Sequence, residues 1–245
     1  MEKTHTWDLV DLPRGKSVIS CKWVYKIKTK FDGTIEWYKA RLVAKGYAQE
    51  YGIDYEEIVA PVAYITSVCS LLAIAAVHQW PLFQMDVKNV LLNGDLIEEV
   101  YMQAPSSYSD CPNKVFLLRR ALYSLKQAPQ AWFAKFSNTV HQFGLSSSLH
   151  YTTLFIRRSD QGMILLLLYV DDMIITGDDY SRISDFKQFL HQQFEMKDLG
   201  HLGYFLGLEV SSDSTGYYLS QAKYASDLLS RAGLTDTKVF LHHLR

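Results

Sequence analysis

Three aspartates carry the candidate chemistry of this 245-residue sequence. Asp171 and Asp172 stand side by side in Tyr169-Val170-Asp171-Asp172, and Asp86 stands in Gln84-Met85-Asp86-Val87-Lys88. Adjacent carboxylates repel each other and lose solvation when withdrawn from water. A divalent cation removes that cost, because hard cations such as magnesium bind through oxygen. Carboxylates drawn from two strands would form the ligand set of a two-metal phosphoryl-transfer site. Its ions, roughly 3.5–4 Å apart, clamp the attacking and leaving oxygens. Aspartate is equally common in solvated turns, so the pair alone leaves both readings open.

The elements that would position these groups are legible. An unbroken apolar run, Met163 to Val170, leads into the pair, and Met173-Ile174-Ile175 follows it. Length and β-branching make this a buried hairpin with the aspartates at its turn. Asp86 ends an extended, half-apolar stretch after Trp80-Pro81-Leu82-Phe83, and would face the hairpin if the two strands are neighbours.

Net charge is −1, yet the signs are segregated. Nine Lys or Arg stand between Arg14 and Lys45 against Asp32 and Glu36; Lys114, Arg119, Arg120, Lys126 and Lys135 face no acid between Cys111 and Lys135. A polyanion groove beside a metal site needs such segregation. Cys21, Trp23, Tyr25 and Ile27 alternate with Lys22, Val24, Lys26 and Lys28, then Tyr38, Ala40, Leu42 and Ala44 with Lys39, Arg41, Val43 and Lys45. Period two predicts a hairpin, packed on its apolar face and cationic on the other, with Phe31-Asp32-Gly33 as its turn. That cationic face would suit phosphates, or be an ordinary wet sheet face.

Three separated cysteines (Cys21, Cys69, Cys111) without metal-ligand spacing or a signal peptide imply a reducing compartment. The longest apolar runs fall short of the ~20 residues that span a bilayer, so a soluble, cytoplasmic chain is expected. Ile65 to Trp80 reads as a helix apolar almost all round, hence core. Lys114 to Leu122, Thr152 to Arg157, Tyr204 to Val210 and Tyr217 to Leu219 read as strands. Pro129 opens a helix that continues over Ala131 to Phe143. Ile183, Phe186, Leu190 and Phe194 form one helical stripe, and a last helix, Gln221 to Ala232, stops at Gly233. The order is α+β, not doubly wound.

Together these blocks resemble the reverse transcriptase of Ty1/copia-type retrotransposon polyproteins, from about Trp7 to Lys238. The resemblance rests on Tyr38-Lys39-Ala40-Arg41-Leu42-Val43-Ala44-Lys45-Gly46, Gln84-Met85-Asp86-Val87-Lys88, Leu92-Asn93-Gly94-Asp95-Leu96, Leu125-Lys126-Gln127-Ala128-Pro129, Tyr169-Val170-Asp171-Asp172 and Tyr204-Phe205-Leu206-Gly207. It implies right-hand polymerase architecture, with an antiparallel palm sheet backed by helices. Fingers would cover 1–62 and palm 63–238, fingers residues interleaving near 110–145, and 239–245 would be a truncated tail. The resemblance makes Asp86, Asp171 and Asp172 catalytic, with Asp86, Val87 and Asp171 on two magnesium ions (manganese a substitute). Lys39, Arg41, Leu91 and Gln127 would bind nucleotide, Phe205, Leu206 and Gly207 would grip the primer, and Lys197 is a candidate general acid. Implied partners are an RNA or DNA template with primer and deoxynucleoside triphosphates, with no membrane, inside a virus-like particle of an intact element.

The chain departs from the family's usual residues at several places. Leu91 stands where an aromatic ring excludes a ribose 2′-hydroxyl. Tyr64 replaces arginine, Tyr151 replaces aspartate, and Ser124 replaces a glycine. If that glycine had positive φ, serine costs on the order of 1–2 kcal/mol. Protease, integrase and ribonuclease H segments are not in the sequence, so a truncated, partly decayed copy is expected. The alternative is an inactive relic that at most binds nucleic acid. An unrelated metal-dependent phosphatase or nuclease would explain the carboxylates but not Gln127, the basic ribbon or Tyr-Phe-Leu-Gly.

Overall fold

A computed structural model describes residues 5–30, 32–105, 108, 114–213 and 216–234. The expectations that concern Phe31, Cys111, residues 214–215 and residues 239–245 lie outside the described residues. Along the chain, β1 (Trp7–Asp11), β2 (Cys21–Thr29) and β3 (Ile35–Ala44) precede helix α1 (Ile65–His78). Strands β4 (Leu82–Val87), β5 (Asp95–Gln103) and β6 (Lys114–Arg120) lead to α2 (Ala128–Gln142). Then come β7 (Ser146–Ser147), β8 (Leu154–Ser159), β9 (Gly162–Tyr169), β10 (Asp172–Gly177) and α3 (Tyr180–Gln193). Strands β11 (Met196–His201), β12 (Tyr204–Phe205), β13 (Leu208–Asp213) and β14 (Gly216–Ser220) precede α4 (Ala222–Arg231).

The centre is a six-stranded antiparallel sheet ordered β11-β4-β10-β9-β8-β7. Strands alternate their side chains between two faces, so each face has its own core. On one face Met85, Val87, Leu166, Leu168, Met173 and Ile175 meet Trp132 and Phe136 of α2 and Phe186 and Leu190 of α3. On the other, Leu82, Leu165, Leu167 and Ile174 meet Val68, Leu71 and Ala75 of α1, and Phe205 and Leu208 of the following hairpin. The expected α+β class, with an antiparallel sheet backed by helices, is what the chain adopts. Pro129 lies in the first turn of α2, and the Asp179 carboxylate caps α3 by accepting from Arg182 N at 3.0 Å. No helix among the described residues is long and apolar enough to cross a membrane.

A third core ties the ribbon to a second sheet, β1-β6-β5. Leu42, Ala44 and Ile19 pack there with Met102, Phe116 and Leu118. Only the base of the ribbon is covered. At its far end Tyr25 is 75% and Tyr38 74% exposed, so the expected packed apolar face holds for half the hairpin. The reason is length: β2 and β3 reach past the edge of the sheet that covers them. Helix α1 differs likewise. Its Val68, Leu71, Leu72 and Ala75 stripe is buried, whereas Ile65, Ile74 and Val77 face outward, because the helix touches the sheet along one side only. The stretch expected as one strand, Tyr204 to Val210, is broken by Leu206 and Gly207 at φ 51° and 85°, a two-residue hairpin turn with both central residues left-handed.

Candidate active site

Strand β10 lies antiparallel to β4 with Asp172 opposite Asp86, and β11 flanks β4 with Lys197 opposite Asp86. Directly opposed residues share a sheet face, so Asp86, Asp172 and Lys197 stand together on one side. Asp171 occupies the β9–β10 turn, and its carbonyl accepts from Val87 N at 2.9 Å. The backbone itself therefore locks the turn to the strand carrying Asp86. Gln84, two residues along the same face, makes a long hydrogen bond of 3.4 Å to Asp172 Oδ1.

Burial first, and then the neighbouring Asp171, holds the Asp86 carboxyl above the usual aspartate range, against the opposing pull of Lys197, Lys39 and Lys88. The Asp172 carboxyl is raised too, most by burial; the Gln84 hydrogen bond opposes this, while Asp171 and Asp86 add to it. Repulsion among half-buried carboxylates is what a bound cation would relieve. Among the described residues no three His, Cys, Asp or Glu side chains converge as a ready-made cage. Magnesium does not need one, since it binds through one or two carboxylates together with waters and substrate phosphates. The donor set therefore fits that ion.

The turn is strained and braced. Val170 has φ 55°, an outlier for a β-branched residue. Its carbonyl accepts from Trp132 Nε1 at 2.8 Å. Trp132 is 2% exposed and packs edge-on against Phe194. The next residue in the chain is Asp171, so the indole fixes the peptide that aims it.

Facing the carboxylates is the cationic side of β3. Lys39, Arg41 and Trp37, with Asp86, Asp171, Lys88 and Tyr123, line a cleft of about 310 Å³. Burial, and then Arg41 and Lys28, pull the Lys39 amine below its usual pKa, while Asp86 opposes the shift. Arg41 lies over the Tyr123 ring, 5.2 Å from its centroid, and its buried Nε has no hydrogen-bond partner among the described residues. An unpaired buried guanidinium nitrogen is costly unless a ligand meets it. Leu91 lines an adjoining cavity of about 570 Å³ with Asp171, Val170, Arg41 and Trp132.

Two expected groups sit otherwise. Gln127 is buried, its amide oxygen accepting from Gln49 Nε2 at 3.0 Å and its nitrogen donating to the Asp54 carbonyl at 3.3 Å. It braces the loop around residues 46–54 and lines neither cavity. Phe205 is buried as well, edge-on to Tyr169 at 6.4 Å, so it supports the hairpin that carries the aspartates. Leu206 and Gly207 form the adjoining turn. Sequence reasoning missed Trp132, Tyr123 and Gln84. Only Gln84 left a signal, its period-two spacing from Asp86.

Residues 4–242 match the sequence model of the family described as reverse transcriptase (RNA-dependent DNA polymerase). The retrovirus-related Pol polyprotein from transposon RE1 of Arabidopsis thaliana is 42% identical over 96% of this chain and 16% of its own length. That from transposon TNT 1-94 of Nicotiana tabacum is 41% identical over 97% and 18%. The chain thus spans less than a fifth of these relatives. A solved foamy viral protease–reverse transcriptase in complex with double-stranded DNA aligns at TM-score 0.43 and 13% identity, over 93% of this chain and 34% of that one. The chain belongs to the reverse transcriptase (RNA-dependent DNA polymerase) family, as the corresponding domain of copia-type retrotransposon polyproteins.

Proposed function

We propose that this chain extends a primer on an RNA or DNA template from deoxynucleoside triphosphates, by two-metal nucleotidyl transfer. One observation carries the reading: the register sets Asp172 beside Asp86, with Asp171 tied to β4, across a cleft from Lys39 and Arg41. Asp86, Asp171 and the main chain of Val87 would hold two magnesium ions, with manganese a substitute. Such ions lower the pKa of the primer 3′-hydroxyl and neutralise charge on the leaving group. Arg41 grips the triphosphate bidentately and Lys39 as a point charge. The 3′-hydroxyl gives its proton to solvent and its oxygen bonds to the α-phosphorus while the bond to the bridging oxygen breaks, its electron pair leaving with pyrophosphate. Lys197, on the Asp86 face, gives that leaving group a proton.

Leu91, which lines the cavity beside Asp171, limits the 2′ side of the sugar, and Gln127 acts through the 46–54 loop. The Phe205-Leu206-Gly207 hairpin holds the primer end beside Tyr169. Residues 1–62 with parts of 110–145 act as fingers and 63–238 as palm, the third core joining the two through Val100 and Met102. The setting is the cytoplasmic virus-like particle of the parent element, where integrase and ribonuclease H segments accompany this one.

Primer extension on poly(rA)–oligo(dT) with magnesium tests the reading. Extension by the wild type that Asp171→Asn abolishes is expected. Salt-sensitive nucleic-acid binding without extension, in both proteins, would instead identify an inactive relic. Leu91→Phe is expected to sharpen preference for deoxy- over ribonucleotides; unchanged selectivity would remove Leu91 from that role.

A further inference from the structure

Beyond Arg41 lies a second cleft, of about 350 Å³, lined by Arg41, Lys88, Asn89, Arg120, Tyr123 and Glu195 among others. It shares Arg41, Lys88, Asn89 and Tyr123 with the cleft over the aspartates, so the two adjoin along these residues. Their chemistry differs. The first cleft contains Asp86 and Asp171; among the described residues the only carboxylate lining the second is Glu195. That carboxylate is taken by Lys88 at 2.7 Å.

The remaining cations of the second cleft are Arg41 and Arg120. Arg120 ends β6, where its backbone N donates to the Thr6 carbonyl at 3.2 Å. Asp95 is its cross-strand neighbour, but the Asp95 carboxylate pairs with Lys135 at 2.7 Å. The adjacent Arg119 is paired with Asp8 at 2.7 Å. Among the described residues Arg120 therefore forms no ion pair, and the buried Arg41 Nε has no partner. Two arginines without carboxylate partners among the described residues, lining one cleft, form a receptor for a small polyanion bearing phosphoryl oxygens.

We infer that this cleft is an anion subsite that takes pyrophosphate as it leaves the aspartate cleft, handed past Arg41 to Arg120. The inference rests on the nucleotidyl-transfer reading for the source of the anion. The direction follows from charge. The aspartate cleft sets Lys39, Arg41 and Lys88 against Asp86 and Asp171, whereas the neighbouring cleft sets Arg41, Lys88 and Arg120 against Glu195 alone, so pyrophosphate released from the α-phosphorus moves toward the more positive of the two. The junction of the second cleft with the first, through four shared residues, favours the small product released there over a nucleic-acid strand.

The experiment titrates pyrophosphate into the metal-free full chain, followed by calorimetry, for wild type, Arg120→Gln and Arg120→Lys, with Arg119→Gln as control. Losing a charge-assisted contact predicts binding about tenfold weaker or more in Arg120→Gln, partial retention in Arg120→Lys, and no change in Arg119→Gln. Manganese binding, read by electron paramagnetic resonance, is expected to stay the same in all four. In primer extension, Arg120→Gln is expected to raise the pyrophosphate concentration that half-inhibits, without changing the KM for deoxynucleotide. Equal pyrophosphate affinity in wild type and Arg120→Gln would overturn the subsite. So would loss of primer–template binding with pyrophosphate binding intact, which would give the cleft to a nucleic-acid backbone. A chain that binds pyrophosphate through Arg120 yet never extends a primer keeps the subsite and refutes the catalytic reading alone.

Discussion

At Ser124 the backbone enters the left-handed region, φ 71°, where a Cβ crowds the following carbonyl at a cost of roughly 1–2 kcal/mol. Its carbonyl is approached closely by a glycine: a Cβ added to Gly46 would lie 1.9 Å from the Ser124 carbonyl oxygen. Ser124→Gly is therefore expected to stabilise the chain by about 1 kcal/mol, raising the melting midpoint by about 2–4 °C, and Gly46→Ala to lower it sharply. Calorimetric scans decide both; a Ser124→Gly midpoint at or below wild type would refute the strain. Tyr64 and Tyr151 touch: Tyr64 donates its backbone N–H to the Tyr151 hydroxyl, and their rings lie 6.2 Å apart. Contact between the two side chains makes their substitutions energetically coupled. Tyr64→Arg and Tyr151→Asp should each destabilise, with the double variant recovering at least about 0.5 kcal/mol of the sum. Strict additivity in denaturant melts would show that the pair is not coupled.

The β9–β10 hairpin is the element on which the site turns, and α2 supplies its brace. Trp132→Phe keeps the aromatic packing on Phe194 but removes the donor to the Val170 carbonyl. The loss of one buried hydrogen bond is worth about 1 kcal/mol of stability. Misplacing Asp171 by even a fraction of an ångström affects rate more than binding, so kcat should fall about tenfold or more with KM for deoxynucleotide little changed. Val170→Gly, which relieves the need for the brace, should shrink the effect of Trp132→Phe; equal losses in both backgrounds would show that the indole only packs. The hairpin was legible beforehand because an apolar run from Met163 to Val170, met by Met173-Ile174-Ile175, has one compact solution. The edge strand β11 was not, since Met-Lys-Asp-Leu-Gly-His has no strand pattern and is held by backbone pairing to β4 at the sheet edge. The break after Phe205 was hidden for a similar reason: apolar Leu206 sits in a turn that usually demands Asn or Gly. The aspartate pairing across β4 and β10 was expected as a possibility of topology, which periodicity alone does not decide.

In the cleft Asp86 and Asp171 meet Lys39 and Arg41 of β3, and the carboxylates are the costlier half of that arrangement. Asp86 and Asp172, raised mainly by burial, keep their protons to higher pH folded than unfolded. Between the ordinary aspartate pKa and those raised values the folded chain holds more protons, so their contribution to stability falls as pH rises through that window. Asp32 and Glu99 work in the opposite sense, lowered chiefly by side-chain hydrogen bonds to Thr34 and Lys16, so the raw pH profile mixes both signs. The difference between wild type and Asp172→Asn isolates the site. At neutral pH without metal, Asp172→Asn is expected to melt about 2–4 °C higher, the shift that about 1 kcal/mol gives a chain of this size. That advantage should vanish as pH drops below the window, where the wild-type carboxyls are protonated. Magnesium should raise the wild-type midpoint at neutral pH, through mass action on the folded state, and Asp172→Asn less. An Asp172→Asn variant that melts lower than wild type at neutral pH without metal would show that the carboxylates are held by partners rather than in mutual repulsion, and the case for a cation among them would fail with it.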